Sequence, residues 1–198
     1  MKVIGLTGGI GSGKSTVAEE WQKAGAKILT ADAYGHRVLA ENASVRRQLQ
    51  RRFGRDVIAP DGQIDKRRIA LAAFKSSADT LALNRIVGGP LVRLLHADVA
   101  RLRKRRRGFL VVDAALLCEW HSKIPFDSRV LVTAPVRLRL KWLAAKRVSH
   151  AEARRRMRSQ WPDSRKRPWA DLEIRNDGSL TELRRAARLA LRWIAENR

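Results

Sequence analysis

Eight residues near the start of the chain carry its clearest chemistry. Gly8-Gly9-Ile10-Gly11-Ser12-Gly13-Lys14-Ser15 follows the apolar run Val3-Ile4-Gly5-Leu6 and spells G-x-x-x-x-G-K-S, the phosphate-binding loop of nucleoside triphosphatases and kinases. Its glycines allow a tight turn whose main-chain N–H groups converge on an anion, and a helix starting behind it adds positive potential. In that setting Lys14 reaches the β- and γ-phosphates and Ser15 ligates Mg²⁺ through its hydroxyl. Asp32 and Asp113 follow or close two further predicted strands, Ala26–Thr30 and Phe109–Asp113. Ligands of parallel α/β sheets sit beyond the carboxyl ends of the strands, so one crevice is expected to collect a triphosphate, two carboxylates and a second substrate.

The elements that must hold these groups alternate between strand and helix. Val3–Leu6 leads through the loop into a helix reaching about Ala24. Ala26–Thr30 precedes a helix expected from about Ala33 through Leu49 to Phe53, stopped at Gly54. Pro60-Asp61-Gly62 is a turn, Ile64–Phe74 a short helical piece, and a long helix is expected from Asp79 to Arg107, broken or kinked at Gly88-Gly89-Pro90. The continuous apolar run Phe109–Asp113 reads as a buried parallel strand, followed by a strand at Arg129–Thr133 and helices at Arg137–Arg147 and His150–Trp161. Leu172–Ile174 is a last short strand. Ser179 with Glu182, and Ser149 with Glu152, have the spacing of capping boxes, and Leu180, Leu183, Ala187, Leu191 and Ile194 form an apolar stripe on the final helix. The pattern predicts an α/β fold with a parallel central sheet.

At 198 residues the chain fits one domain able to bury its own core. The lone cysteine, Cys118, lies in an apolar stretch and reads as a buried structural thiol; no Cys/His cluster points to zinc. No signal peptide opens the sequence and no apolar run approaches membrane-spanning length, so a cytoplasmic protein with no membrane partner is expected. The net charge is +23, and residues 101–198 hold 26 of the 42 Lys and Arg. Such a field attracts polyanions, whether nucleic acid, anionic membrane or a phosphorylated metabolite, and does not by itself name one.

The chain resembles the dephospho-coenzyme A kinases along nearly its whole length. The segments that carry the likeness are Gly5 through Thr16, Ala31-Asp32-Ala33, Phe53-Gly54 and Asp61-Gly62-Gln63-Ile64-Asp65. They continue with Pro90-Leu91-Val92-Arg93, Asp113 through Glu119, and Ile174-Arg175-Asn176-Asp177-Gly178. The resemblance implies a three-layer parallel-sheet kinase core (residues 1–55, 108–136 and 170–198), a helical acceptor-binding insertion (56–107) and a basic lid (137–168). It also implies transfer of the ATP γ-phosphate to the ribose 3′-hydroxyl of dephospho-coenzyme A with Mg²⁺, by a chain expected to be monomeric.

Carried over residue by residue, the resemblance makes Asp32 and Lys14 catalytic. It assigns ATP to Gly9, Gly11, Ser12, Gly13, Lys14, Ser15, Thr16, Lys166, Asn176, Asp177 and Gly178. The acceptor goes to His36, Arg93 and Glu119, and the metal to Ser15 and Asp113. On residue types alone, Asp32 could instead cap the helix from Ala33, Asp113 could satisfy loop N–H groups, and Asn176-Asp177-Gly178 could be a plain turn. The lid carries twelve Lys and Arg against Glu152 and Asp163, with Lys146, Arg147, Arg154 and Lys166 as candidate phosphate partners.

The chain also departs from the family pattern: Gly89 stands where a His precedes Pro-Leu-Val, Thr30 where an Asp precedes the catalytic acid, Ala115 where a Pro is usual, and Trp142 where the first lid helix has an Arg. Two alternatives stay open. One is another small-metabolite or nucleotide kinase of the same fold. The other is a basic nucleic-acid-binding protein that retains a nucleotide loop, motivated by Arg101–Arg107, Arg154-Arg155-Arg156 and the nearby Trp161 and Trp169. Weak non-specific nucleic-acid binding is expected on charge alone.

Overall fold

The computed structural model describes residues 1–104 and 107–197. Arg105 and Arg106 of the basic run lie outside them, and the long helix predicted to reach Arg107 ends at Arg103. The chain forms two units, Met1–Thr30 with His96–Arg198, and Ala31–Leu95.

The first unit is built on a five-stranded sheet in the order β2-β3-β1-β4-β5: β1 (Lys2–Thr7), β2 (Lys27–Thr30), β3 (Phe109–Asp113), β4 (Ser128–Thr133) and β5 (Leu172–Arg175). Every pairing is parallel. Its central strands are apolar runs rather than alternating ones because both faces are covered: Val3, Ile4, Leu6, Leu110, Val111, Val130, Leu131 and Val132 are all buried. The register aligns strand ends. Asp113 pairs with Leu6 on one side and Thr30 on the other, so the phosphate loop and this carboxylate leave the sheet at the same edge.

Helices α1 (Lys14–Lys23) and α9 (Leu180–Glu196) pack a common core, with Val17 and Trp21 against Leu183, Ala187 and Leu191. Leu180, expected in that stripe, is 53% exposed. It opens the helix directly after the Ser179 cap, where the capping box with Glu182 is complete, and lies beyond the core's edge. At the second predicted box, the Ser149 side chain accepts the N–H of Glu152. The Trp21 indole N–H donates to Ala187 O at 2.7 Å in this core. Trp21→Phe loses that bond and leaves a void where the larger indole was fully buried, so a stability loss of about 2 to 3 kcal/mol is expected in a denaturant titration.

Helices α6 (Val136–Ala145) and α7 (His150–Arg158) pack through Leu140, Leu143 and Ala153, with Ile10 of the phosphate loop against them. The chain then forms a short helix, α8 (Asp163–Lys166), and a 3₁₀ turn at Arg167–Trp169.

The second unit contains α2 (Ala31–Glu41), α3 (Ala43–Phe53), α4 (Lys66–Ala73) and the first part of α5 (Ser77–Arg103). The predicted single helix to Phe53 is instead two. Asn42 interrupts it by taking extended backbone and accepting the Val45 N–H at 3.1 Å, capping α3. Asp65 caps α4 in the same way, accepting from Arg67 and Arg68. The expected break at Gly88-Gly89-Pro90 is absent: Pro90 sits inside the 27-residue α5. A proline removes one rung of a long ladder, and the neighbouring Gly89 places no side chain near it.

Candidate active site

The phosphate loop joins β1 to α1 through two left-handed glycines, Gly11 (φ 75°) and Gly13 (φ 95°). At Gly13 a side chain is excluded twice over, because a Cβ would strike the Asn176 amide and come within 2.8 Å of Leu183. The loop's peptide groups are individually accounted for. Gly9 O accepts the Ser12 N–H at 3.1 Å, and Gly13 O accepts from Thr16 and Val17 at 3.0 and 3.3 Å. Ser12 O accepts from the Asn176 side chain at 3.0 Å. Among the described residues, no backbone hydrogen bond takes up the N–H of Gly11, Gly13, Lys14 or Ser15. The Ser12 hydroxyl is buried and makes no hydrogen bond within the protein. Donors left unused in a glycine loop at a helix start are what an anion requires.

Lys14 forms an ion pair with Asp113, whose carboxyl is 10% exposed. These two groups, from the start of α1 and the end of β3, meet because β1 and β3 are neighbours in register. Ser15 is exposed beside Lys14 in the chain. No cluster of three or more His, Cys, Asp or Glu occurs among the described residues. The available donors are therefore a hydroxyl and a carboxylate. Those hard oxygens fit Mg²⁺, which keeps water and substrate phosphates in most of its coordination positions.

The basic segment reaches the loop through residues that the motif reading did not single out. Arg139 of α6 is buried, donates from Nε to Ile10 O at 2.8 Å and packs its guanidinium against Gly9. Burial lowers its pKa from the usual guanidinium value, opposed by Asp163 at 3.4 Å. Gln160, after α7, accepts the Ile10 N–H at 2.9 Å. The only sign of Arg139 in the sequence is a cation beside the apolar Leu138 and Leu140, which alone reads as a helix surface.

Lys166 is wholly buried. Its ammonium pairs with Glu119 at 3.0 Å and donates to Ala115 O at 2.6 Å, while Glu119 also accepts the Trp161 N–H at 2.8 Å. Two predicted site residues, one for ATP and one for the acceptor, are thus brought together as partners of each other. Arg165 stacks on Trp161, 3.6 Å from the ring centroid. Cys118 is buried as expected, and its thiol is pushed up to about 11, chiefly by burial. Asn176 is buried beneath the loop, while Asp177 and Gly178 are exposed just before the α9 cap. Lys146, Arg147 and Arg154 are exposed.

In the second unit, Asp32 lies in the first turn of α2, inside the helix rather than at its cap, and is exposed. His36 is exposed four residues later on the same helical face. Arg93 is exposed on α5 and, with Val38, Glu41, Asn42, Ala43, Pro90 and Leu94, lines a shallow cavity of about 350 Å³ within that unit.

A family model described as dephospho-CoA kinase matches residues 2–182. The chain belongs to the dephospho-CoA kinase family. It is 36% identical over 189 residues to a dephospho-CoA kinase of Corynebacterium diphtheriae, covering 95% of this chain and 94% of the relative. The crystal structure of TT1252 from Thermus thermophilus superposes with a TM-score of 0.73 at 30% identity, covering 97% of each chain. The structure of a Campylobacter jejuni dephospho-CoA kinase, at 22% identity and a TM-score of 0.66 over 98% of this chain and 97% of that one, shares the fold. Within this dephospho-CoA kinase family member the guanidinium at the loop comes from Arg139, three residues before the half-buried Trp142.

Proposed function

We propose that this chain transfers the γ-phosphoryl group of ATP to the ribose 3′-hydroxyl of dephospho-coenzyme A, giving coenzyme A and ADP. The family match along residues 2–182 carries this reading, because the phosphate loop alone is shared by many phosphotransferases.

Phosphoryl transfer asks little covalent chemistry of the protein; it needs position and charge compensation. The unused N–H groups of Gly11, Gly13, Lys14 and Ser15 bind the β- and γ-phosphates, and the buried Ser12 hydroxyl adds a donor. Lys14 follows charge from the Asp113 carboxylate to the triphosphate. Ser15 and Asp113 hold Mg²⁺, which when bound neutralises phosphate charge. Asp32 orients the acceptor hydroxyl and takes its proton late in transfer, and His36 and Arg93 contact the acceptor. The ATP roles of Lys166, Asn176, Asp177 and Gly178 belong to the same reading. For Asn176 the supporting observation is its bond to Ser12 O. For Glu119 and Lys166 the support is indirect, since each is already held by the other.

We further propose a cytoplasmic monomer; no helix among the described residues is long and apolar enough to cross a membrane. The net charge of +23 supports weak, salt-sensitive association with nucleic acid beside catalysis. A coupled ADP-release assay tests the proposal, with purified protein, Mg-ATP and a panel of acceptor alcohols. ADP release that requires dephospho-coenzyme A is expected. Equal turnover with other nucleosides, or none with any acceptor, overturns it.

A further inference from the structure

One residue of the phosphate loop is held from both sides by the basic segment. The Ile10 N–H goes to Gln160 and the Ile10 carbonyl accepts from Arg139. In a trans peptide the C=O and the following N–H point in opposite directions. Fixing the Ile10 carbonyl therefore fixes the direction of the Gly11 N–H, which carries no backbone hydrogen bond. The same device recurs two residues later, where Asn176 holds the Ser12 carbonyl and leaves the Gly13 N–H free. The preceding Gly9–Ile10 peptide is saturated, with Gly9 O bonded to Ser12 and the Ile10 N–H to Gln160. A loop with glycines at positive φ has no side-chain sterics of its own to choose among peptide orientations. External clamps make that choice.

We propose that Arg139 and Gln160 are positioning residues for nucleotide binding: they hold the two peptide groups that meet at Ile10 and so aim the Gly11 N–H at the triphosphate. The inference rests on the kinase reading above and adds to it two residues outside the motif. Arg139 suits the task because its planar fork divides between Ile10 O and Asp163, which fixes the donor's direction. A lysine at the same place keeps the charge but loses that fork.

Two charge-preserving variants isolate the effect. Gln160→Met keeps the chain length and removes the acceptor; Arg139→Lys keeps the positive charge and removes the guanidinium plane. Each is expected to raise the Kd and KM for Mg-ATP about tenfold, the worth of one well-placed hydrogen bond. The KM for the acceptor and the melting temperature without nucleotide are expected to stay within error. ATP binding unchanged in both variants overturns the inference, as does a loss shared equally by the acceptor or matched by a lower melting temperature. The parent protein serves as the separate arm. If it binds no Mg-ATP in calorimetry, the kinase reading falls and takes this inference with it. If it binds and the variants bind equally well, only the clamp falls.

Discussion

Lys14→Met is expected to lower kcat/KM about a thousandfold, the scale at which a preorganised charge facing a transferring phosphoryl group acts. The lysine already has an anion to hold, the carboxylate of Asp113, so its ammonium is localised at the loop before any nucleotide arrives. Removing it takes away the compensating charge and leaves that largely buried carboxylate without its partner, so the melting temperature is expected to fall as well. The two effects separate in the double variant Lys14→Met with Asp113→Asn, which is expected to recover the melting temperature and none of the turnover. Lys14→Met retaining more than a tenth of the parent kcat/KM in steady-state assays would remove this lysine from the mechanism.

Asp32→Asn has the second large effect: kcat is expected to drop by about 10² to 10⁴, the range assigned to a positioned proton acceptor. The Kd for Mg-ATP is expected to stay within a factor of two, because the nucleotide donors lie in the loop and not on α2. The stability change is small and calculable in sign. Asp32 is exposed in the first helical turn, where a negative charge interacts favourably with the helix dipole by about 0.3 to 1 kcal/mol. A thousandfold loss of turnover cannot come from that term. Turnover of Asp32→Asn equal to the parent, measured at saturating substrates, would take the residue out of the proton path.

The sequence was most legible where one local rule decided the outcome. Phe109–Asp113 is predicted and found with identical ends, since an apolar pentad ending in an acid has few other uses. The Ser179 capping box and the left-handed glycines of the phosphate loop are equally local. Less legible were boundaries set by a single polar side chain. Asn42 splits a helix whose apolar spacing runs on to Phe53, and only the bond to Val45 reveals why. Around the loop, the motif names the residues that face an anion but none of those that hold the loop's other side. Arg139, Gln160 and Asn176 come from 129 to 164 positions away in the chain, and their bonds to Ile10 and Ser12 have no periodicity to betray them. Lys166 shows the converse: the resemblance singles it out of a basic stretch as a phosphate partner, and the fold buries it on Glu119.

The layout of the sheet has a consequence for biogenesis. β1 is flanked by β3 and β4, so its first neighbours are more than a hundred residues downstream, and the amide that props up Ser12 belongs to Asn176. On a translating ribosome the glycine-rich turn therefore emerges early as a shapeless nascent segment and acquires its geometry only after most of the polypeptide has followed. Such distant pairings slow folding, because chain closure must precede the contacts that reward it. A release-arrested fragment ending before residue 176 is accordingly a poor nucleotide trap, and competence for the ligand becomes a late checkpoint of synthesis.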